Sequence, residues 1–134
     1  MTIQAELRWT NGLQFVARAG QGPAVVMDNP DGGSGASPMT LMLMAIGGCT
    51  AMDVISILKK KRLAVSGFKV NISGARADDH PRRYTKVHIE YVVYGRDIKP
   101  EAVQRAIELS ENKYCSATAS LNASVTNSFR IEQP

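Results

Sequence analysis

Along the first part of the chain, apolar and polar residues alternate with the period of a β-strand that has one buried face. The alternation runs from Ile3 to Trp9, and Asn11-Gly12 then suits the positive φ angles of a tight type I′ hairpin turn. The segment 13–18 is expected to return as the partner strand, and a third strand is expected over about 24–28. The N-terminal third is therefore predicted to consist of three strands.

An almost unbroken apolar run follows, and the signals at its ends are those of a helix. Ser37 is a good N-cap, Pro38 suits the first helical position, and a basic cluster closes the run. We predict one helix from Pro38 to Lys61, roughly 36 Å long. That length would cross a bilayer, but Asp53 and the pair Gly47-Gly48 interrupt the run, and the other segments are amphipathic and need something to pack on. We therefore expect the helix at the centre of the fold.

Two further expectations follow from a helix that is apolar all round. Its methionines are expected to belong to the core, namely Met39, Met42, Met44 and Met52. A single small sheet would not cover the whole helix, so a partner subunit is also expected.

The second half of the chain returns to strand spacing and then changes to helical spacing. Two strands are expected around Phe68–Ile72 and Val87–Val93. A helix, a short helical turn over about 116–123 and a last strand over about 125–131 complete the chain. The resulting order, β-β-β-α-β-β-α-α-β, is that of an α+β fold. With no internal repeat and no linker, residues 1–134 are expected to form one domain.

Composition and charge exclude some functions and favour none strongly. The formal net charge is +4 and only 6% of the residues are aromatic, so a nucleic-acid-binding function has little support. The N-terminus shows no basic region followed by an apolar core, so no secretory signal is expected and the protein is placed in the cytoplasm. Thiols are kept reduced there, and a disulfide would be transient and catalytic.

Cys49 lies in the middle of the long predicted helix, directly after Gly47-Gly48. A free cysteine is often just a small buried apolar residue. Two glycines inside a helix, however, cost about 1 kcal/mol each relative to alanine. They would offset that cost by letting a substrate or another backbone approach beside the thiol, and close helix packing explains them equally well. Both interpretations of Cys49 stay open on the sequence alone.

Cys115 is expected where one helix ends and a short one begins. The free N–H groups and partial positive charge of a helix N-terminus lower the pKa of a thiol, and Lys113 would act in the same direction if it faced the sulfur. Two such cysteines make a peroxidatic and resolving pair conceivable, in which one thiolate attacks a peroxide and the other thiol converts the sulfenic acid to a disulfide.

Charged neighbours decide how reactive Cys49 can be. Asp53 is one turn from Cys49 on the same helical face, and a nearby carboxylate raises the pKa of a thiol. A cation must offset that effect if Cys49 is to react, and Arg8 and Arg18 on the first hairpin are the candidates.

Metal ligands at recognisable spacing do not occur in the sequence. His80 and His88 form no spaced motif with either cysteine. We therefore expect no metal and no cofactor.

Two separate segments resemble those of a known family. The run Ser37–Val54 is similar to the first-cysteine helix of the OsmC/Ohr family, most closely to its YhfA-like branch, and Glu111–Ser116 resembles the segment that carries the second cysteine. The resemblance extends over essentially the whole chain. It implies an OsmC-like α+β fold with long central helices wrapped by sheets in an intertwined homodimer.

The resemblance also implies an activity. The better-known branches are thiol-dependent peroxidases that reduce organic hydroperoxides in oxidative-stress defence and are recycled by a thiol or dithiol reductant. By that resemblance Cys49 would attack the hydroperoxide, Cys115 would resolve the intermediate, and Arg18 would support the thiolate. No nucleic acid and no membrane is implied as a partner.

This sequence departs from the peroxidase pattern at two positions. The peroxidase branches have glutamate after the proline that opens the helix, where this chain has Met39, and proline after the second cysteine, where it has Ser116. Because that glutamate helps to hold the arginine, a second hypothesis stays open. It is a non-catalytic protein of the same fold that binds an apolar ligand or senses redox state.

Overall fold

The computed structural model describes all residues from Met1 to Pro134 and contains six strands and three α-helices. The strands are β1 (Glu6–Asn11), β2 (Gln14–Arg18), β3 (Val25–Met27), β4 (Val65–Arg76), β5 (Tyr84–Gly95) and β6 (Ser124–Glu132); the helices are α1 (Pro38–Lys60), α2 (Pro100–Leu109) and α3 (Ser116–Ala119). A π-helical turn, Ser110–Tyr114, follows α2 directly. The predicted α+β order is confirmed.

The chain forms two compact units, Met1–Met42 and Leu43–Pro134. In the first unit β1, β2 and β3 form an antiparallel sheet in that order. The hairpin turn is formed by Gly12 and Leu13, because Asn11 is still paired with Gln14; Gly12 has a positive φ but Asn11 does not, so the hairpin is confirmed and the type I′ turn centred on Asn11-Gly12 is wrong. The expectation of one domain over 1–134 stays a prediction.

The second unit is built on a sheet of the order β4-β5-β6. The β4–β5 pair is antiparallel and the β5–β6 pair is parallel. The central strand β5 is the most deeply buried, and Ile89, Tyr91 and Val93 are fully inaccessible to solvent. The buried strand face that the alternation around Val87–Val93 predicted is therefore confirmed.

The long helix begins and ends close to the predicted residues. The Ser37 hydroxyl accepts a hydrogen bond from the Thr40 N–H at 3.2 Å, which confirms Ser37 as the N-cap. The buried face of α1 repeats every turn as Ile46, Thr50, Val54 and Leu58. A Cβ on Gly47 would lie 3.3 Å from a methyl group of Ile72 in β4, so this glycine lets α1 pack closely on the sheet.

The other side of α1 and the face of β1 are exposed in the single chain. Met52, for example, is 73% exposed and Trp9 is 65% exposed. In the single chain the expectation that the methionines lie in the core is therefore wrong for Met42, Met44 and Met52, because β4 and β5 contact one face of α1 and these side chains lie outside it. By length and composition alone α1 would also suffice to cross a membrane.

Candidate functional site

The fold brings the two cysteines together with one carboxylate. The sulfur atoms of Cys49 and Cys115 and a carboxylate oxygen of Asp53 all lie within 4.8 Å of one another. Both cysteines are free thiols; Cys49 is half-buried and Cys115 is only 4% exposed. A disulfide between these cysteines would require the two sulfur atoms to approach to about 2.05 Å.

Two local structures position these groups. Cys49 and Asp53 are one turn apart on α1, as the sequence predicted. Cys115 is placed by the π-helical turn, because its own N–H donates to the Ser110 carbonyl oxygen at 2.7 Å. Backbone irregularities of this kind occur often at functional sites.

Cys115 is the N-cap of α3, and its sulfur contacts Thr118. The Thr118 hydroxyl lies 3.0 Å from the sulfur and the Thr118 N–H donates to it at 3.5 Å. Burial nevertheless raises the pKa of the Cys115 thiol; the Thr118 hydrogen bonds act against this, and Cys49 adds to it. The expectation of a lowered pKa is therefore wrong, because desolvation outweighs the N-terminus of so short a helix.

Lys113 does not supply the expected positive charge at this sulfur. Its ammonium nitrogen lies over the ring of Tyr114, 5.3 Å from the ring centroid. Among the influences on the Cys115 pKa only the Thr118 hydrogen bonds lower it.

A chain of buried hydroxyl groups leads away from Asp53. The Ser110 hydroxyl donates to Asp53 Oδ2 at 2.9 Å and lies 2.8 Å from Thr50 Oγ1, which in turn is 2.7 Å from the Tyr91 hydroxyl. Thr50, Ser110 and Tyr91 are completely inaccessible to solvent. The ring of Tyr91 is stacked on Phe68 with the centroids 6.5 Å apart.

The chain ends at a second carboxylate, Glu111. The Tyr91 hydroxyl donates to Glu111 Oε1 at 3.2 Å, and the Asn127 amide donates to Glu111 Oε2 at 2.8 Å. Burial is the main reason that the pKa of Tyr91 is raised, so its proton stays on the oxygen at ordinary pH. Tyr91 can therefore both donate and accept a hydrogen bond.

Sequence reasoning missed the hydroxyl chain, although one signal was present. Ser110 follows Val103, Ala106 and Ile107 at helical spacing, and Thr50 interrupts the apolar face of α1. Polar residues on buried faces need hydrogen-bond partners, so each implied a partner that the sequence could not name.

The two arginines proposed as partners of the thiolate lie in the first unit. Arg8 forms a hydrogen-bonded ion pair with Glu6, which makes it the weaker candidate. Arg18 is exposed at the end of β2. Its role towards Cys49 stays a prediction.

Neither histidine belongs to the cysteine cluster. The two ring nitrogens of His88 are hydrogen-bonded to the hydroxyl groups of Thr126 and Ser128. The cluster offers three side chains of metal-ligand type, one fewer than the four of a structural zinc site.

Comparisons of the sequence and of the structure with known proteins point to one family. The model of the family described as OsmC-like protein matches residues 31–129. YhfA of Escherichia coli strain K12 is 40% identical over 131 residues, which are 96% of this chain and 98% of YhfA. A hypothetical protein from Aquifex aeolicus VF5 has a solved structure that is similar with a TM-score of 0.83 and 32% identity, over 98% of each chain.

A more distant solved structure shows likeness of fold alone. It is the organic hydroperoxide resistance protein OhrB of Bacillus subtilis, which is similar with a TM-score of 0.64 over 97% of this chain and 98% of OhrB, at 14% identity. The family model and the identity with YhfA confirm the resemblance seen in the two cysteine segments over nearly the full length. The chain belongs to the OsmC-like family and has its α+β fold.

Proposed function

We propose that this protein is a thiol-dependent peroxidase that reduces organic hydroperoxides through a two-cysteine cycle. The observation that carries the proposal is the distance of no more than 4.8 Å between the sulfur atoms of Cys49 and Cys115. Two free thiols so close together, one half-buried and one buried, suit an attacking and a resolving role. The hydroperoxide resistance named for OhrB belongs to a protein of the same fold.

Cys49 first loses its proton to solvent, and the thiolate attacks one peroxide oxygen, so that an S–O bond forms and the O–O bond breaks. The alkoxide leaves and takes one proton from solvent to become the alcohol. Cys115 then attacks the Cys49 sulfenic acid, which forms the disulfide and releases water. A small dithiol restores both thiols by exchange and is itself oxidised.

Cys49 is assigned the attacking role because it is the less buried of the two residues. Arg18 is proposed to stabilise the Cys49 thiolate and polarise the peroxide, as the resemblance implies. The protein is proposed to act in the cytoplasm as a homodimer with a small hydroperoxide as substrate; the exposed apolar sides of α1 and β1 support a second copy.

The test is turnover of cumene hydroperoxide with dithiothreitol. We expect the wild-type protein to consume the hydroperoxide and Cys49→Ser to fall to the rate of the double variant Cys49→Ser/Cys115→Ser. Wild-type protein that is no faster than that cysteine-free variant would rule out the proposal.

A non-catalytic protein of the same fold that binds an apolar ligand is the second candidate. It is favoured by an open cavity of about 310 Å³ between α1 and β4, which Met44, Gly48, Ala51, Val70 and Ile72 line. Mass spectrometry of the purified protein that finds a bound apolar molecule, together with thiols inert to hydroperoxide, would select this candidate instead.

A further inference from the structure

The buried hydroxyl chain has one more oxygen-to-oxygen contact than it has hydroxyl protons. Four oxygen-to-oxygen contacts join Asp53 to Glu111 through three hydroxyl groups, at distances from 2.7 to 3.2 Å. Each contact of this length needs one proton, but three hydroxyls supply only three. The chain is fully hydrogen-bonded when it holds one additional proton on one of its two carboxyl groups.

That additional proton can be placed on either of the two carboxyl groups. When it is on Glu111, every hydroxyl donates towards Asp53, and Asp53 is a carboxylate. When it is on Asp53, every hydroxyl donates towards Glu111. The first arrangement becomes the second when each of the four protons moves across its own hydrogen bond. One positive charge is thereby transferred from Glu111 to Asp53, and no heavy atom has to move.

The two ends of the chain face different surroundings. At one end Asp53 lies beside the thiols of Cys49 and Cys115. At the other end Glu111 is half-buried, and its second oxygen is bonded to Asn127, whose side chain is exposed. Asp53 and Glu111 are both half-buried in the single chain, and the three hydroxyl groups between them are shielded from water. The chain therefore links the carboxylate beside the buried Cys115 with a second carboxylate on the far side of the core.

We propose that the groups from Asp53 through Ser110, Thr50 and Tyr91 to Glu111 form a proton wire that serves Cys115. This proposal rests on the two-cysteine cycle above and assigns the route of its protons. Asp53 is the group that exchanges a proton with the thiol, while Thr50 and Tyr91 conduct it.

Cys115 itself has almost no contact with water, so its proton passes first to a neighbouring group. It is a thiol with a raised pKa and must lose its proton when it attacks, yet its residue is 4% exposed. When Cys115 resolves the Cys49 sulfenic acid, the S–S bond forms and the S–O bond breaks. The leaving hydroxide takes one proton from solvent, the Cys115 proton leaves through Asp53 and Glu111, and the net products are one disulfide and one water. During reduction the same wire returns a proton to the departing Cys115 thiolate.

The experiment isolates the attack of Cys115 without any hydroperoxide. Reaction with 5,5′-dithiobis(2-nitrobenzoate) places an aromatic disulfide on Cys49; attack by Cys115 then releases the coloured thiolate and one proton. We measure the rate of that release in wild type, Tyr91→Phe, Thr50→Val and Asp53→Asn. Tyr94→Phe, which loses a tyrosine hydroxyl outside the wire, is the matched control.

We expect release to be at least about tenfold slower in Tyr91→Phe and Thr50→Val, and about 10²-fold slower in Asp53→Asn. Tyr94→Phe should match wild type. The slowed variants should release the thiolate faster as the pH rises, because hydroxide then removes the Cys115 proton. The titratable groups that face Asp53 in this pH series are the two thiols, and Glu111 and Tyr91 lie further along the wire.

The sign of the Asp53→Asn effect separates two roles of this carboxylate. If Asp53 were only a neighbouring negative charge, its removal would lower the thiol pKa and speed up the release. A faster Asp53→Asn, or a Tyr91→Phe that folds and is as fast as wild type, would overturn the wire. A failure of hydroperoxide turnover with these rates as expected would reject the peroxidase function and keep the wire.

Discussion

At the scale of the residue, Cys115 shows how burial and hydrogen bonding compete. Its position at the N-terminus of α3 could be predicted from the sequence, and that position alone would lower its pKa. The sequence did not show that the sulfur is almost completely buried, and burial has the larger effect in the opposite direction. The thiol is therefore expected to be protonated and slow to react until a base assists it.

Thr118→Val tests this balance. The change removes the hydroxyl that lies 3.0 Å from the Cys115 sulfur and keeps the side chain's shape, so the pKa of Cys115 should rise further. In a Cys49→Ser background, the rate of alkylation by iodoacetamide measured against pH should reach its midpoint at higher pH. Thr85→Val, whose hydroxyl donates to the Ala75 carbonyl oxygen in the β4–β5 pair, is the control. A midpoint that stays in place or moves to lower pH would contradict this assignment.

At the scale of the element, α1 has two faces with different roles. The buried face carries the core residues, and Cys49 and Asp53 lie one turn apart beside it. Met52 is exposed on the opposite face, and Met42 and Met44 are exposed on the two flanks of the helix. Exposed large apolar residues on the longest helix are typical of an interaction surface, and a second copy of the chain is the partner that we propose.

Met52→Glu tests whether this face is an interface between two copies. A carboxylate buried there without a partner costs several kcal/mol, so the dimer dissociation constant should rise at least about tenfold, or ~1.4 kcal/mol. Light scattering after size-exclusion chromatography over a dilution series measures it. Gln133→Glu adds the same charge at the exposed C-terminal end and should leave association unchanged. An unaltered dimer in Met52→Glu would exclude this face, and a wild-type monomer would exclude the homodimer.

At the scale of the whole molecule, local sequence patterns predicted the helices and strands, whereas contacts between residues far apart in sequence form the site. The strand alternation, the Ser37 cap and the position of α1 could be predicted because each depends on neighbouring residues. The hydroxyl chain could not, because it joins Thr50 on α1, Tyr91 on β5 and Ser110 after α2, which are far apart in sequence. Periodicity places each of these residues on a buried face, but it carries no information on which buried polar groups meet.

The cysteine site could likewise be predicted only as far as the resemblance and local spacing reach. The resemblance in the two cysteine segments brought Cys49 and Cys115 into one site, and the one-turn spacing predicted Asp53 beside them. The departures at Met39 and Ser116 do not separate the two thiols in the fold. Arg18 depends on the resemblance alone, since no sequence pattern predicts which hairpin arginine meets the thiolate.

The most direct measurement of the central claim is the intact mass of the reduced protein after one equivalent of cumene hydroperoxide. Wild-type protein should lose two hydrogen atoms as Cys49 and Cys115 join, and Cys115→Ser should gain one oxygen atom, held as a sulfenic acid on Cys49 that dimedone traps. A wild-type protein whose mass does not change, or whose two cysteines gain oxygen independently of each other, would contradict it.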